Sequence, residues 1–203
     1  VAKVYVDITA TNGKITTAAQ PNGKYLAYNA VTAVADAAPA GMKFAYWTDA
    51  EGNILSYKST YKFYPAASVE LTAVYVAEDE TVVLTPIVTL AANPTTEGEK
   101  ITYILAWDVD KNAVGTVTAL GIIIVDKADY NADTFVHGTT DTKVFDKAFS
   151  NRVAQSGEYS ATKTGSVYDH TYVAAMWLTY TDATTGEAVT VYSDAIEVLK
   201  PAS

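Results

Sequence analysis

His137 and His170 are the two histidines of this 203-residue chain, which holds no cysteine. Acid–base chemistry near neutral pH would therefore start from them. Val136-His137-Gly138 and Asp169-His170-Thr171 both read as loops, and neither stands beside a serine in a recognisable nucleophile elbow. Covalent catalysis needs a base held by an orienting partner next to its nucleophile. Nor is there an HExxH, paired-cysteine or glycine-rich phosphate motif. The expectation is a protein that is not an enzyme, with no catalytic residues.

Carboxylates offer a second chemistry. Asp108-Val-Asp110-Lys-Asn112 sets oxygen ligands at alternate positions, as in the first half of a calcium loop, but lacks that loop's glycine and closing Glu. Asp126, Asp129 and Asp133 form another acidic loop. Asp and Asn in such places usually fix a turn. The expectation is no cofactor, with Asp108, Asp110 and Asn112 as the candidate ligands of a structural calcium.

Aromatic side chains offer recognition. Fifteen Tyr and three Trp are many for this length, and sugars stack on flat rings. Alternation along a strand tells which face each ring joins. Trp107 keeps register with Ile101, Tyr103 and Leu105 and reads as core. Trp177 falls opposite the apolar set Tyr172, Ala174, Met176, Leu178 and Tyr180. That puts Trp177 outside, with Thr179 beside it and Thr190 and Tyr192 on the next strand. These four residues are the candidate ligand-binding platform, unless an inserted segment or the first domain covers Trp177.

The elements that position these residues are strands. Thr, Val and Tyr recur, and they suit a pleated surface. Hydrophobic residues make up 49%, enough for a core. Val4, Val6 and Ile8 alternate with polar neighbours, Asn12-Gly13 and Asn22-Gly23 supply turns, and Val69, Leu71, Ala73 and Tyr75 mark a last strand. Five or six strands are expected over residues 1–77, closed by the acidic break Ala77-Glu-Asp-Glu-Thr81. The domains are accordingly set at 1–78 and 79–203. In the second, strands are expected at Val82-Val83-Leu84 and near 100–108, 115–125, 158–164, 171–181 and 188–199. Turns fall at Asp110–Asn112, Ser156-Gly157 and Asp182–Gly186. Val144, Phe145, Ala148 and Phe149 share one helical face with Asp141 as N-cap, which predicts a short helix within 126–155. The expected fold class is all-β, a small β domain followed by a β-sandwich of immunoglobulin or fibronectin III type with a short helical insertion.

Charge narrows the partners. The net charge is −9, with Arg152 the single arginine, so no cationic cluster is available to displace counterions from a nucleic acid. No apolar run nears the ~18 residues of a membrane span, and no membrane insertion is expected.

Pro39 to Val76, PAGMKFAYWTDAEGNILSYKSTYKFYPAASVELTAVYV, resembles the Listeria-Bacteroides type β-repeat, the internalin B-repeat group of Gram-positive surface proteins. Lys147-Ala-Phe-Ser-Asn-Arg152, Ser156-Gly-Glu-Tyr159, Leu178-Thr-Tyr-Thr-Asp182 and Val191-Tyr-Ser-Asp194 look like an Ig-like repeat of Firmicutes surface proteins. The resemblance implies an extracellular module, cell wall-attached or secreted, within a longer bacterial chain and monomeric there. It carries no conserved chemistry. Such Ig-like domains sometimes hold a Lys–Asn crosslink, for which Lys100 with Asn151 or Asp194 are the available residues. The function expected is binding or adhesion, with a polysaccharide (starch or a plant cell-wall glycan) or a host or cell-surface protein as partner. The alternative is a passive stalk.

Overall fold

The computed structural model describes residues 3–95 and 97–202, and the chain divides into two compact units, Val1–Val83 and Leu84–Ser203. Both are built of strands, as composition and alternation predict.

Among its described residues the first unit holds nine short strands: β1 (Tyr5–Val6), β2 (Ile8–Thr11), β3 (Gly13–Ile15), β4 (Tyr25–Leu26), β5 (Val31–Ala35), β6 (Met42–Thr48), β7 (Ile54–Ser56), β8 (Thr60–Phe63) and β9 (Val69–Ala77). Five or six were expected. The surplus arises because the chain changes sheet repeatedly: β2-β9-β6-β7 form one sheet, β3-β5-β8 another, and β1 pairs β4. Strand β2 runs parallel to β9, with Ile8 opposite Val69. Trp47, Leu71, Ala73 and Ala33 make one buried cluster, and Val6, Ile8, Ala27 and Val31 a second.

Two turns show how sequence dictates path. At Asp49–Asn53 the Asp49 carboxylate accepts the Asn53 backbone N–H at 2.8 Å while Gly52 takes φ +86°, closing the β6–β7 hairpin. Asn12-Gly13 was expected to close a hairpin too, but here it is a corner between sheets, since β2 pairs β9 and β3 pairs β5. Asn12 sits at φ +59°, its side-chain amide donates to Ala73 O at 3.1 Å, and its carbonyl accepts from Asp36 N at 2.9 Å.

The second unit holds β10 (Ile87–Asn93), β11 (Lys100–Asp108), β12 (Gly115–Asp126), β13 (Phe145–Ala148), β14 (Ser156–Thr164), β15 (Thr171–Asp182), β16 (Ala188–Tyr192) and β17 (Ile196–Leu199). One sheet has the order β10-β11-β14 and the other β13-β12-β15-β16, with β17 also on β15. A core of Ile101, Tyr103, Leu105 and Trp107 from the first sheet and Leu120, Ile122, Ile124, Tyr172, Ala174, Met176 and Leu178 from the second joins them as a sandwich.

Four local expectations change. Val82–Leu84 is not a strand, and pairing begins at Ile87, just past Pro86. Ser156-Gly157 is no turn; both residues lie in β14, and Gln155 makes the junction by donating to Val109 O and Gly115 O and accepting from Val117 N. The last strand is split at Ser193, whose hydroxyl takes the Met176 N–H at 3.0 Å. Finally, the predicted helix is absent. Phe145–Ala148 instead pairs antiparallel with Ile124–Gly121, leaving only short 3-10 turns at Lys127–Asp129 and Ser150–Arg152.

On the edge strand β14, Tyr159 and Ala161 pack against the core. Lys163 follows them inward, and its ammonium stands 4.9 Å from the centre of the Tyr172 ring.

Candidate functional site

Strand alternation places Trp177 correctly on the face of β15 away from the main core. Its neighbours are also those expected: Trp177 lies opposite Tyr192, and Thr179 opposite Thr190, with the two threonine hydroxyls 2.8 Å apart. What differs is the cover. Trp177 is 1% exposed, so the predicted open platform is not there.

The segment between β12 and β14 provides that cover. The His137 imidazole lies flat on the indole, with ring centroids 3.5 Å apart and planes at 16°. Trp177 Nε1–H donates to Asp146 Oδ1 at 3.0 Å. Asp146 Oδ2 accepts the Gly138 N–H at 2.8 Å and faces His137 Nδ1 at the same distance. Asp146 can do this because β13 pairs with β12, setting it opposite Ile123 on the Trp177 face. Phe135 joins Ile123, Val125, Val173, Ala175 and Trp177 in a second apolar cluster beneath the segment. Tyr192 is 40% exposed, but its hydroxyl accepts the His137 backbone N–H at 3.0 Å.

The root of the segment is held the same way. His170 Nδ1 hydrogen-bonds Asp126, which also accepts the Ala128 N–H at 2.9 Å. That His170 contact, then the Ala128 bond, holds the Asp126 carboxyl below its usual range. Lys127 pairs with Glu197, and Lys143 with Asp129. Both histidines thus serve to anchor one segment, each through a carboxylate. Loop position was legible; the partners, 44 and nine residues away in sequence, were not.

A signal for the cover did exist. Gly121 interrupts the apolar run Leu120–Val125, and a Cβ there would come within 2.5 Å of the Trp177 ring and 2.2 Å of Lys147 O. Glycine inside a strand marks close approach of another group. The same pairing recurs: a Cβ on Gly13 would meet Trp47 at 2.5 Å, and one on Gly157 would meet Trp107 at 2.7 Å. Those two indoles also donate from Nε1, to Ser59 O at 3.2 Å and Ala154 O at 2.8 Å. Each tryptophan is roofed by a glycine and tied at its one polar atom.

The candidate calcium ligands lie at and just after the end of β11. Asp110 Oδ1 accepts the N–H groups of Asn112 and Ala113 at 2.9 and 2.8 Å, the local turn role of Asp, and Asp108 ends β11 opposite Ile87 and Ser156. Among the described residues no group of three or more His, Cys, Asp or Glu could hold a metal ion. Lys100, Asn151 and Asp194 are exposed and lie on separate segments.

The fold and this geometry define an all-β chain whose three tryptophans are spent on packing. Residues 4–79 match the family model of the divergent InlB B-repeat domain, so the first unit is similar to that β-rich bacterial repeat. No curated protein matches the chain.

Proposed function

We propose that this chain is a non-catalytic spacer segment of an exported bacterial protein, monomeric within it and projecting other modules from the cell surface. The β-repeat match supports an extracellular repeat module, since that family is typically found at the surface or outside the cell. One observation favours a spacer over a glycan-binding module: all three tryptophans are internal, at 5% exposure or less. Stacking on sugars needs an open ring face. What remains of the predicted platform is Tyr192 with Thr179 and Thr190, and the Tyr192 hydroxyl is already engaged.

The test is affinity electrophoresis of the chain through gels holding starch, xylan, mannan, β-glucan or pectin, beside Tyr192→Ala. A spacer migrates unretarded in every gel. Retardation by one polysaccharide that Tyr192→Ala abolishes would replace this reading with a glycan-binding one and locate its site. Protease shaving of intact cells of the source organism tests the location: the segment is released from the surface if the reading holds and stays protected if the protein is internal.

A further inference from the structure

The core of the second unit contains two hydroxyls to which the described residues give no partner. Tyr103 on β11 and Ser166 in the loop after β14 are both 0% exposed. Neither Tyr103 OH nor Ser166 Oγ meets a hydrogen-bonding group among the described residues. Other buried polar groups of this unit are paired, as at Trp107 Nε1 and Ser193 Oγ. A hydroxyl taken from water and left unpaired keeps its whole desolvation penalty. Folded proteins commonly resolve such a conflict with an internal water making two to four hydrogen bonds.

Ser166 lies beside the start of β11, its N–H donating to Glu99 O at 3.0 Å, and Tyr103 stands three residues past Lys100 on that strand. The Val167 N–H, next along the chain from Ser166, donates to Tyr172 OH at 2.8 Å. Tyr172 shares the inter-sheet core with Tyr103. It lies close enough that its phenol adds to the effect of burial in raising the Tyr103 pKa. The Tyr172 oxygen, already an acceptor, retains a proton to give. Three hydroxyls therefore offer the donor and acceptor positions that a single water satisfies.

We propose that one internal water molecule binds between the two sheets, hydrogen-bonded to Tyr103 OH, Ser166 Oγ and Tyr172 OH, and ties the Gly165–Asp169 loop to β11. The sign of a mutational effect tests this. Removing a dry, unpaired hydroxyl relieves a penalty, whereas removing a water-bonded one forfeits an interaction. Tyr103→Phe and Ser166→Ala, made in the full chain, are each expected to lower the thermal transition by about 2–5 °C. The double variant should fall no further than the worse single, because the shared water is lost once. Oxygen-17 relaxation dispersion should show one long-lived water fewer in Tyr103→Phe than in the parent. A Tyr103→Phe transition that is unchanged or raised would overturn the proposal. So would strictly additive losses in the double variant, or equal numbers of long-lived waters in parent and variant.

Discussion

The side chains that looked most capable of recognition are the ones the fold consumes. Each indole fills the space above a glycine and gives its N–H to an acceptor from another segment, so its apolar area and its polar atom are both satisfied internally. This arrangement sets a ranking. Gly121→Ala pushes a methyl into both the Trp177 ring and a backbone carbonyl that cannot swing away. It should cost about 1–3 kcal/mol or more in urea unfolding. Gly157→Ala meets only the Trp107 ring and should cost less. Equal costs would show that the carbonyl clash does not matter. Asp146→Ala leaves the Trp177 N–H without its acceptor and should cost about 1–3 kcal/mol with a red-shifted Trp177 emission, whereas Asp146→Asn keeps an acceptor oxygen and should recover much of the loss. Alternation assigned Trp107 and Trp177 to their faces. It could not say that Trp177 would be covered, because period 2 reports the face of a sheet and not what lies upon it.

The segment between β12 and β14 shows where local pattern yields to tertiary pairing. Val144, Phe145, Ala148 and Phe149 fit a helical stripe, yet the backbone of Phe145–Ala148 closes the otherwise open edge of β12. Propensity over four residues is a weak prior against four residues of sheet pairing. The segment's hold on the sheet is in part electrostatic, and its pH dependence follows from Asp126. Its folded carboxyl titrates below the ordinary value, so its contribution is complete above the unfolded pKa and is lost as pH falls through the folded one. Acidification below about pH 4 should therefore loosen the segment. Chemical denaturation at a series of acidic pH values checks this, and Asp126→Asn should flatten that part of the profile. An unaltered slope in the variant would assign acid sensitivity elsewhere, for instance to Asp141 or Asp182, which turn N–H groups also hold low.

For the whole molecule, the all-β architecture was legible because Thr, Val, Ile and Tyr alternate over long runs, and eleven of the twelve residues of β12 and eleven of the twelve of β15 fell within the runs expected. The count of strands in the first unit was not, because corners such as Asn12-Gly13 and hairpin turns share the same residue types. The acidic break was read as the seam, and the compact units divide just after it, at Val83. Glu78, Asp79 and Glu80 are exposed. A glutamate-specific protease should cut there first and leave two fragments that each retain β-sheet circular dichroism; cleavage first at Glu70 within β9 or Glu158 within β14 instead would argue against independent units. A further consequence belongs to β14, whose outer rim of backbone groups has no neighbouring strand in its sheet among the described residues. Such a rim can template a second chain and start aggregation. Its inward ammonium at Lys163, which burial makes easier to deprotonate, stands in the way, because a foreign strand that docked and tightened the sheet would have to bury that charge further. The lysine acts as a gatekeeper, trading a little native stability for solubility wherever many copies of such a surface are crowded together.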